Sequence, residues 1–364
     1  MADSAAGTKA ADDDALGDAG GASGAATAAL ALRAERPGMP VCLVTGFLGA
    51  GKTTLVNHIL ANGLHLRAAV FVNEFGSVDI DGALIKSRVD GDRVVSLTNG
   101  CVCCEINEDL AKQLSELLRT RGQAIDVVII ETSGVCDPDP VLATLQQIED
   151  VDEAHLDAVI CVVDATTVGD ADLGASDDAR KQLRNADVLL LNKMDLFADA
   201  PAAAADAAEA RLRGHCKREG VEPAILRTTR SEVDLAAICG LDGGGSPAPK
   251  RRRLAGGRGN HRRLVTFAYT ATRPFDPLKF ELWASQPQRG VLRAKGLLWM
   301  RGIPKYVCFH FAGRRTNPFE TLPGQEPPER SEIVFVGLAG DLDGAPGRGV
   351  DEPAIRGALD ACLC

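Results

Sequence analysis

Gly46-Phe-Leu-Gly49-Ala50-Gly51-Lys52-Thr53-Thr54 combines residue types and spacing that suit phosphate chemistry. An apolar, β-branched run, Val41-Cys-Leu-Val-Thr45, enters this stretch, and a helical pattern, Thr54-Leu-Val-Asn-His-Ile-Leu60, leaves it. In that context a G-x-x-x-x-G-K-[ST] match reads as a P-loop rather than as a glycine-rich turn with a solvated lysine. The glycines let successive N–H groups turn toward one point, and the following helix adds its positive N-terminal end. Lys52 can reach the β- and γ-phosphates of a nucleotide, the Thr53 hydroxyl can ligate Mg²⁺, and Ala50 and Thr54 complete the phosphate-facing run.

Two further motifs fit the same chemistry. Asn192-Lys193-Met194-Asp195 follows the apolar run Val188-Leu-Leu-Leu191. The Asp195 carboxylate can accept from the guanine N1–H and exocyclic amine together, a pair that adenine does not offer, so the expected nucleotide is GTP. Asn192 and Lys193 are expected to brace the loop and the base. Val127-Val-Ile-Ile-Glu131-Thr132-Ser133-Gly134 is a buried run ending in a polar turn. P-loop enzymes place an acid there to hold Mg²⁺, which makes Glu131 the candidate, and the Gly134 N–H is positioned to sense a γ-phosphate. The plainer alternative is a glutamate that caps the Asp137–Pro138 turn.

Cys101, Cys103 and Cys104 lie within four residues, in Asn99-Gly-Cys-Val-Cys-Cys-Glu105. Three thiolates on one loop can wrap a soft cation such as Zn²⁺ and leave a coordination place open, as suits a site that hands its metal on. Glu74, in Asn73-Glu-Phe-Gly76, is a plausible oxygen ligand. A redox-active thiol cluster and inert buried cysteines are the competing readings. Cys42 and Cys161 fall in apolar runs and read as packing residues; Cys362 and Cys364 end the chain as C-x-C. The histidines at 58, 65, 155, 215, 261 and 310 show no ligand spacing.

The elements that must position these residues follow a regular pattern. Strands are expected at 41–45, 68–73, 94–98, 126–131, 157–164, 187–192 and 223–227, with helices at 53–62, 106–121, 140–149, 177–185 and 203–219. Such alternation implies an α/β fold, a P-loop NTPase with a mostly parallel sheet, helices on both faces and ligands at the strands' C-terminal ends. From 263 onward strands dominate, at 264–269, 296–300, 306–311 and 332–337, with helices at 277–284 and 353–362. That predicts a smaller C-terminal α+β domain with a mobile loop at 312–331. The expected organisation is a disordered acidic Ala/Gly-rich arm at 1–38, the P-loop domain at 39–239, a flexible basic linker at 240–262 and the C-terminal domain at 263–364.

A formal charge of −10 over 364 residues argues against a broad nucleic-acid or anionic-membrane surface, and no apolar run is long enough for a membrane span. Eleven cysteines, an odd number and unevenly spread, do not form a secreted disulfide framework. With neither a signal-peptide core nor an Arg-rich transit segment, the expected location is cytoplasmic. Lys250-Arg-Arg-Arg253 reads either as a nuclear import signal or as a solvated linker.

Gly46–Leu55, Asn73–Gly76, Gly100–Cys104, Glu131–Gly134 with Asp137–Pro138, and Asn192–Asp195 occur in one order that resembles the CobW family of P-loop GTPases, the zinc-regulated GTPase metalloprotein activators. The second half is similar to that family's C-terminal domain through Arg273-Pro-Phe275, Gly290-Val-Leu-Arg-Ala-Lys-Gly296, Trp299 and Ala358-Leu-Asp-Ala-Cys-Leu363. The resemblance covers about residues 40–364. It implies a GTPase that binds Zn²⁺ at Cys101, Cys103 and Cys104 and delivers it to client metalloproteins, using GTP and Mg²⁺. Three departures stand out: Ser77 where the family often has glutamate, Asp276 where it often has histidine, and a basic rather than histidine-rich inter-domain segment. No catalytic glutamine or arginine finger is evident, so slow intrinsic turnover is expected. The alternatives are a non-catalytic zinc sensor or store with GTP as a structural ligand, and a cobalt or nickel accessory protein. Client proteins are the expected partners, nucleic acid and membrane are not, and self-association is left open.

Overall fold

The computed structural model describes residues 39–62, 67–72, 94–98, 107–122, 125–149, 154–169, 173, 176–238, 264–286, 288–313, 315–316, 319–321, 328–339 and 349–364. Seven strands build the first sheet: β1 (Met39–Thr45), β2 (Ala68–Val72), β3 (Val94–Thr98), β4 (Val127–Glu131), β5 (Ala154–Asp164), β6 (Val188–Asn192) and β7 (Ala224–Arg227). Their order is β3-β2-β4-β1-β5-β6-β7, and every pairing is parallel. The interleaved helices are α1 (Lys52–Asn62), α2 (Asn107–Arg121), α3 (Asp139–Glu149), α4 (Asp177–Asn185), α5 (Ala202–Arg218) and the short α6 (Leu235–Ile238).

This is the expected P-loop fold, and its cause is visible in the strands. Val127–Glu131 and Val188–Asn192 are buried at every position, which only a sheet covered on both faces allows. Register then fixes what meets at the C-terminal edge. Val44 pairs with Glu131, Thr45 with Cys161, and Asp164 with Asn192. The three motif-bearing strand ends are thereby brought to one rim.

The second sheet is antiparallel, in the order β11-β10-β9-β13-β8, with β12 against β10. Its strands are β8 (Leu264–Ala271), β9 (Val291–Leu298), β10 (Val307–Ala312), β11 (Arg315–Thr316), β12 (Glu320–Thr321) and β13 (Ser331–Leu338); α7 (Pro277–Ala284) and α8 (Glu352–Ala361) complete it. An aromatic cluster of Phe267, Phe275, Phe280, Trp283, Phe309 and Phe335 fills its core.

Two expectations need correction here. The strand expected at 296–300 runs earlier, over Val291–Leu298, so that Arg293 and Lys295 lie within it. The loop expected at 312–331 contains two short strands that pair with β10. The sheets are also not independent. Leu264, Leu292 and Leu338 of the second pack in one apolar cluster with Val188, Leu190 and Leu226 of the first and Ile238 of α6. Burying that shared surface holds the two sheets together.

Candidate functional site

Between β1 and α1 the chain turns on three glycines with positive φ: Gly46 at 134°, Gly49 at 71° and Gly51 at 111°. At two of them space as well as conformation excludes a side chain. A Cβ at Gly46 would lie 2.1 Å from the Val162 carbonyl oxygen, and one at Gly51 would lie 2.4 Å from Asn192 Nδ2. Lys52, 8% exposed, donates from Nζ to the Phe47 carbonyl at 3.1 Å. The ammonium is thus held over the loop it would share with phosphate oxygens. Ala50 is buried and Thr54 is exposed on the first turn of α1.

Because β4 lies beside β1, its last residue reaches the start of α1. Thr53 Oγ1 donates to Glu131 Oε1 at 2.9 Å. The Asp137–Pro138 turn has its own cap, the Asp137 carboxylate accepting from the Asp139 N–H at 3.0 Å. Glu131 is therefore aimed at the P-loop and not at that turn. A hydroxyl and a carboxylate at this separation form a hard-oxygen donor pair, which suits Mg²⁺.

The turn that follows carries Gly134. Cys136 N–H donates to the Ser133 carbonyl at 3.1 Å and closes the turn. Gly134 rests against the P-loop, since a Cβ there would lie 2.5 Å from the Leu48 backbone nitrogen. From the other side Gln182 Nε2 donates to the carbonyls of Gly134 and Cys136, at 3.3 and 3.0 Å.

On the opposite side of the P-loop, Asn192 works as a three-way brace. Its Nδ2 donates to the Ala50 carbonyl at 2.9 Å, while its Oδ1 accepts from the Ser231 N–H at 2.8 Å and the Thr228 hydroxyl at 3.0 Å. Ser231 also donates to the Gly51 carbonyl at 3.0 Å. Lys193 adopts a left-handed backbone, φ 65°, and its Nζ meets Asp164 Oδ2 at 2.6 Å. Burial opposes ionisation of Asp164, but its hydrogen bonds from Lys193 and Thr166 hold the carboxyl below its usual range. Asp195 stands exposed in the short helical turn Met194–Phe197. Sequence reasoning missed Thr228, Ser231, Asp164 and Gln182. Only Asp164, ending an apolar run before Ala-Thr-Thr, carried any signal.

Cys101, Cys103, Cys104 and Glu74 lie outside the described residues, as do the arm at 1–38, the linker with Lys250–Arg253, and Ser77. Cys42 and Cys161 are buried, and burial, with Cys216 alongside, pushes the Cys161 thiol up to about 12. Both pack in apolar clusters, and the Cys42 thiol also donates to Asp157 Oδ2 at 3.8 Å. Cys362 is buried with Sγ against the Ala358 carbonyl at 3.2 Å. Asp276 caps α7, accepting from the Leu278 and Lys279 N–H groups, and pairs with Arg301 at 2.5 Å.

Two histidines without ligand spacing do converge at the seam between the sheets. His155, Asp157 and His310 are all buried, with nitrogen and oxygen atoms within 4.8 Å of one another. The guanidinium of Arg293 already fills the cation's place there, at 2.6 Å from Asp157 Oδ1 and 2.8 Å from His310 Nε2. Burial alone would push the Asp157 carboxyl up, but Arg293 and Lys295 hold it well below its usual range. Burial also pushes the His310 imidazole well down, outweighing the pull of Asp157. The cluster is an ion-paired seam.

Among the described residues no helix is long and apolar enough to cross a membrane. The pattern of the CobW/HypB/UreG nucleotide-binding domain matches residues 40–221, and that of the cobalamin synthesis protein cobW C-terminal domain matches 264–363. The chain is 29% identical to the zinc chaperone CobW of Sinorhizobium sp over 91% of this chain and 99% of the relative. It is 38% identical to the zinc chaperone CobW of Pseudomonas aeruginosa over 56% of this chain and 60% of the relative. With the zinc-regulated GTPase metalloprotein activator 1 of Dictyostelium discoideum it shares 30% identity over 74% of this chain and 64% of the relative.

Proposed function

We propose, from the premise that the chain belongs to the CobW family through both its nucleotide-binding and C-terminal domains, that it is a GTPase that carries Zn²⁺ to client metalloproteins. The observation that carries this reading is the convergence on one sheet edge of Lys52, the Thr53–Glu131 pair, Gly134 and the Asn192 brace.

GTP lies with its phosphates on Gly46–Thr53 and its guanine against the Asp195 carboxylate. Lys52 exchanges the Phe47 carbonyl for phosphate oxygens at little conformational cost. Thr53 and Glu131 would hold Mg²⁺, which would supply neutralisation of phosphate charge. Water attacks the γ-phosphorus as the bond to the β–γ bridging oxygen breaks, leaving GDP and phosphate. The protein contributes positioning and preset dipoles rather than covalent chemistry. The Gly134 N–H donates to the γ-phosphate and loses that partner on hydrolysis.

The thiols of Cys101, Cys103 and Cys104 lose their protons and bind Zn²⁺ as thiolates, with Glu74 as an oxygen ligand. Three thiolates leave a position through which a recipient can draw the ion. Cys101 follows Thr98, the last residue of β3, by three positions, and Thr98, Val72 and Glu131 share one register across β3, β2 and β4. That neighbourhood supports coupling between the metal loop and the nucleotide. The test is turnover of GTP against ATP, together with zinc content of the wild type and of C101A/C103A/C104A. The reading requires selective GTP turnover and loss of zinc, with turnover retained, in the triple variant. Equal ATP turnover, or unchanged zinc, contradicts it.

A further inference from the structure

Residues 132–137 form no regular element, yet they carry the glycine on which the proposed switch depends. Their shape is imposed by a neighbouring helix. Gln182, in the middle of α4 and 1% exposed, donates from one amide nitrogen to the carbonyls of Gly134 and Cys136. Lys181 pairs with the Asp137 carboxylate. One turn along the helix, Asn185 donates to Asp139 Oδ1 at 2.6 Å. A single helix therefore grips the segment at 134, 136, 137 and 139.

The central contact is chemically specific. Only a primary amide offers two N–H donors from one neutral nitrogen, and a neutral group avoids burying a charge beside the P-loop. With the carbonyls on both sides of Val135 fixed, and Gly134 flat against Leu48, the turn has little freedom left. This reasoning rests on the reading of Gly134 as the γ-phosphate sensor. On that footing, we propose that Gln182 is a positioning residue for GTP hydrolysis. Its amide presets the Ser133–Cys136 turn so that the Gly134 N–H faces the γ-phosphate when GTP arrives, and preset dipoles need no reorganisation at the moment of reaction.

The test compares wild type with Gln182→Met, which keeps length and volume but removes the donors. Affinity is measured for GDP and for a non-hydrolysable GTP analogue, together with single-turnover hydrolysis. Expected are a lower melting temperature, since two carbonyls lose their donor, and GDP affinity near wild type, with analogue affinity and turnover each down about tenfold. A purely structural role would instead lower GDP and analogue affinity together, and that result overturns the proposal. Unchanged discrimination and turnover in Gln182→Met also overturn it, while leaving the GTPase reading intact. A wild type that fails to turn over GTP overturns the switch reading and this proposal with it. Lys181→Met, which removes the half-buried partner of Asp137, is expected to show a smaller loss in the same direction. If Gln182→Met does not fold, unchanged discrimination in Lys181→Met overturns the assignment.

Discussion

Gly134 lies flat against Leu48, so close that a methyl on its Cα would sit 2.5 Å from the Leu48 backbone nitrogen. The turn after β4 and the P-loop therefore share a surface with no room for a side chain. Gly134→Ala must drive the two apart. Its single-turnover GTP hydrolysis is expected to fall roughly 100-fold, the scale on which a lost preset donor acts. GDP affinity should stay near wild type. Parallel titrations with GDP and a GTP analogue check this, and equal loss of both would contradict a γ-phosphate role.

The Thr53–Glu131 pair makes a separate prediction. Glu131→Gln keeps a side-chain oxygen that accepts from Thr53 but removes the negative charge. The Mg²⁺ concentration for half-maximal hydrolysis should rise about tenfold, with nucleotide affinity in EDTA unchanged. A Mg²⁺ titration of turnover decides it. An unmoved midpoint would return Glu131 to a purely structural role.

In the proposed reading, guanine is recognised by Asp195 offering two acceptors. Asp195→Asn offers one acceptor and one donor, which suits xanthine, whose 2-position is a carbonyl where guanine has an amine. The variant should lose at least about tenfold in kcat/KM for GTP and gain on XTP. Measured preference for GTP over XTP should therefore invert. A variant equally weak on both would place guanine elsewhere.

The seam predicts a pH effect on stability. His310 is held neutral in the folded protein, with its folded pKa well below its ordinary value. The unfolded chain takes up the proton first, so stability is full above about pH 6.5 and declines below it by up to about 1.4 kcal/mol per pH unit. In His310→Gln that slope should flatten between pH 6.5 and 5, as denaturant midpoints would report. Arg293→Met should cost about 3–5 kcal/mol, because it leaves the buried Asp157 carboxylate without its guanidinium. Matching slopes in His310→Gln and wild type would contradict the neutral assignment.

Sheet and P-loop were legible because their signals are local. Val127–Glu131 and Val188–Asn192 are short apolar runs that end in chemistry, and Gly46–Thr53 is a contiguous motif. The braces were not legible. Gln182, Thr228 and Ser231 make their contacts across 36 to 180 residues of chain, and each alone is an ordinary polar residue on a helix or loop. The ion pair that places Arg293 inside β9 is likewise long-range. The Arg293 guanidinium meets Asp157, 136 residues away in sequence.

In the proposed mechanism, nucleotide state governs the hold on zinc. Zn²⁺ affinity should be measured by competition against a chromophoric chelator, with GDP bound and with a non-hydrolysable GTP analogue bound. At least about a tenfold difference is expected, or about 1.4 kcal/mol of coupling between the two sites. Equal affinity in the two states, with hydrolysis also indifferent to zinc, would contradict the carrier mechanism and leave a GTPase with a structural metal.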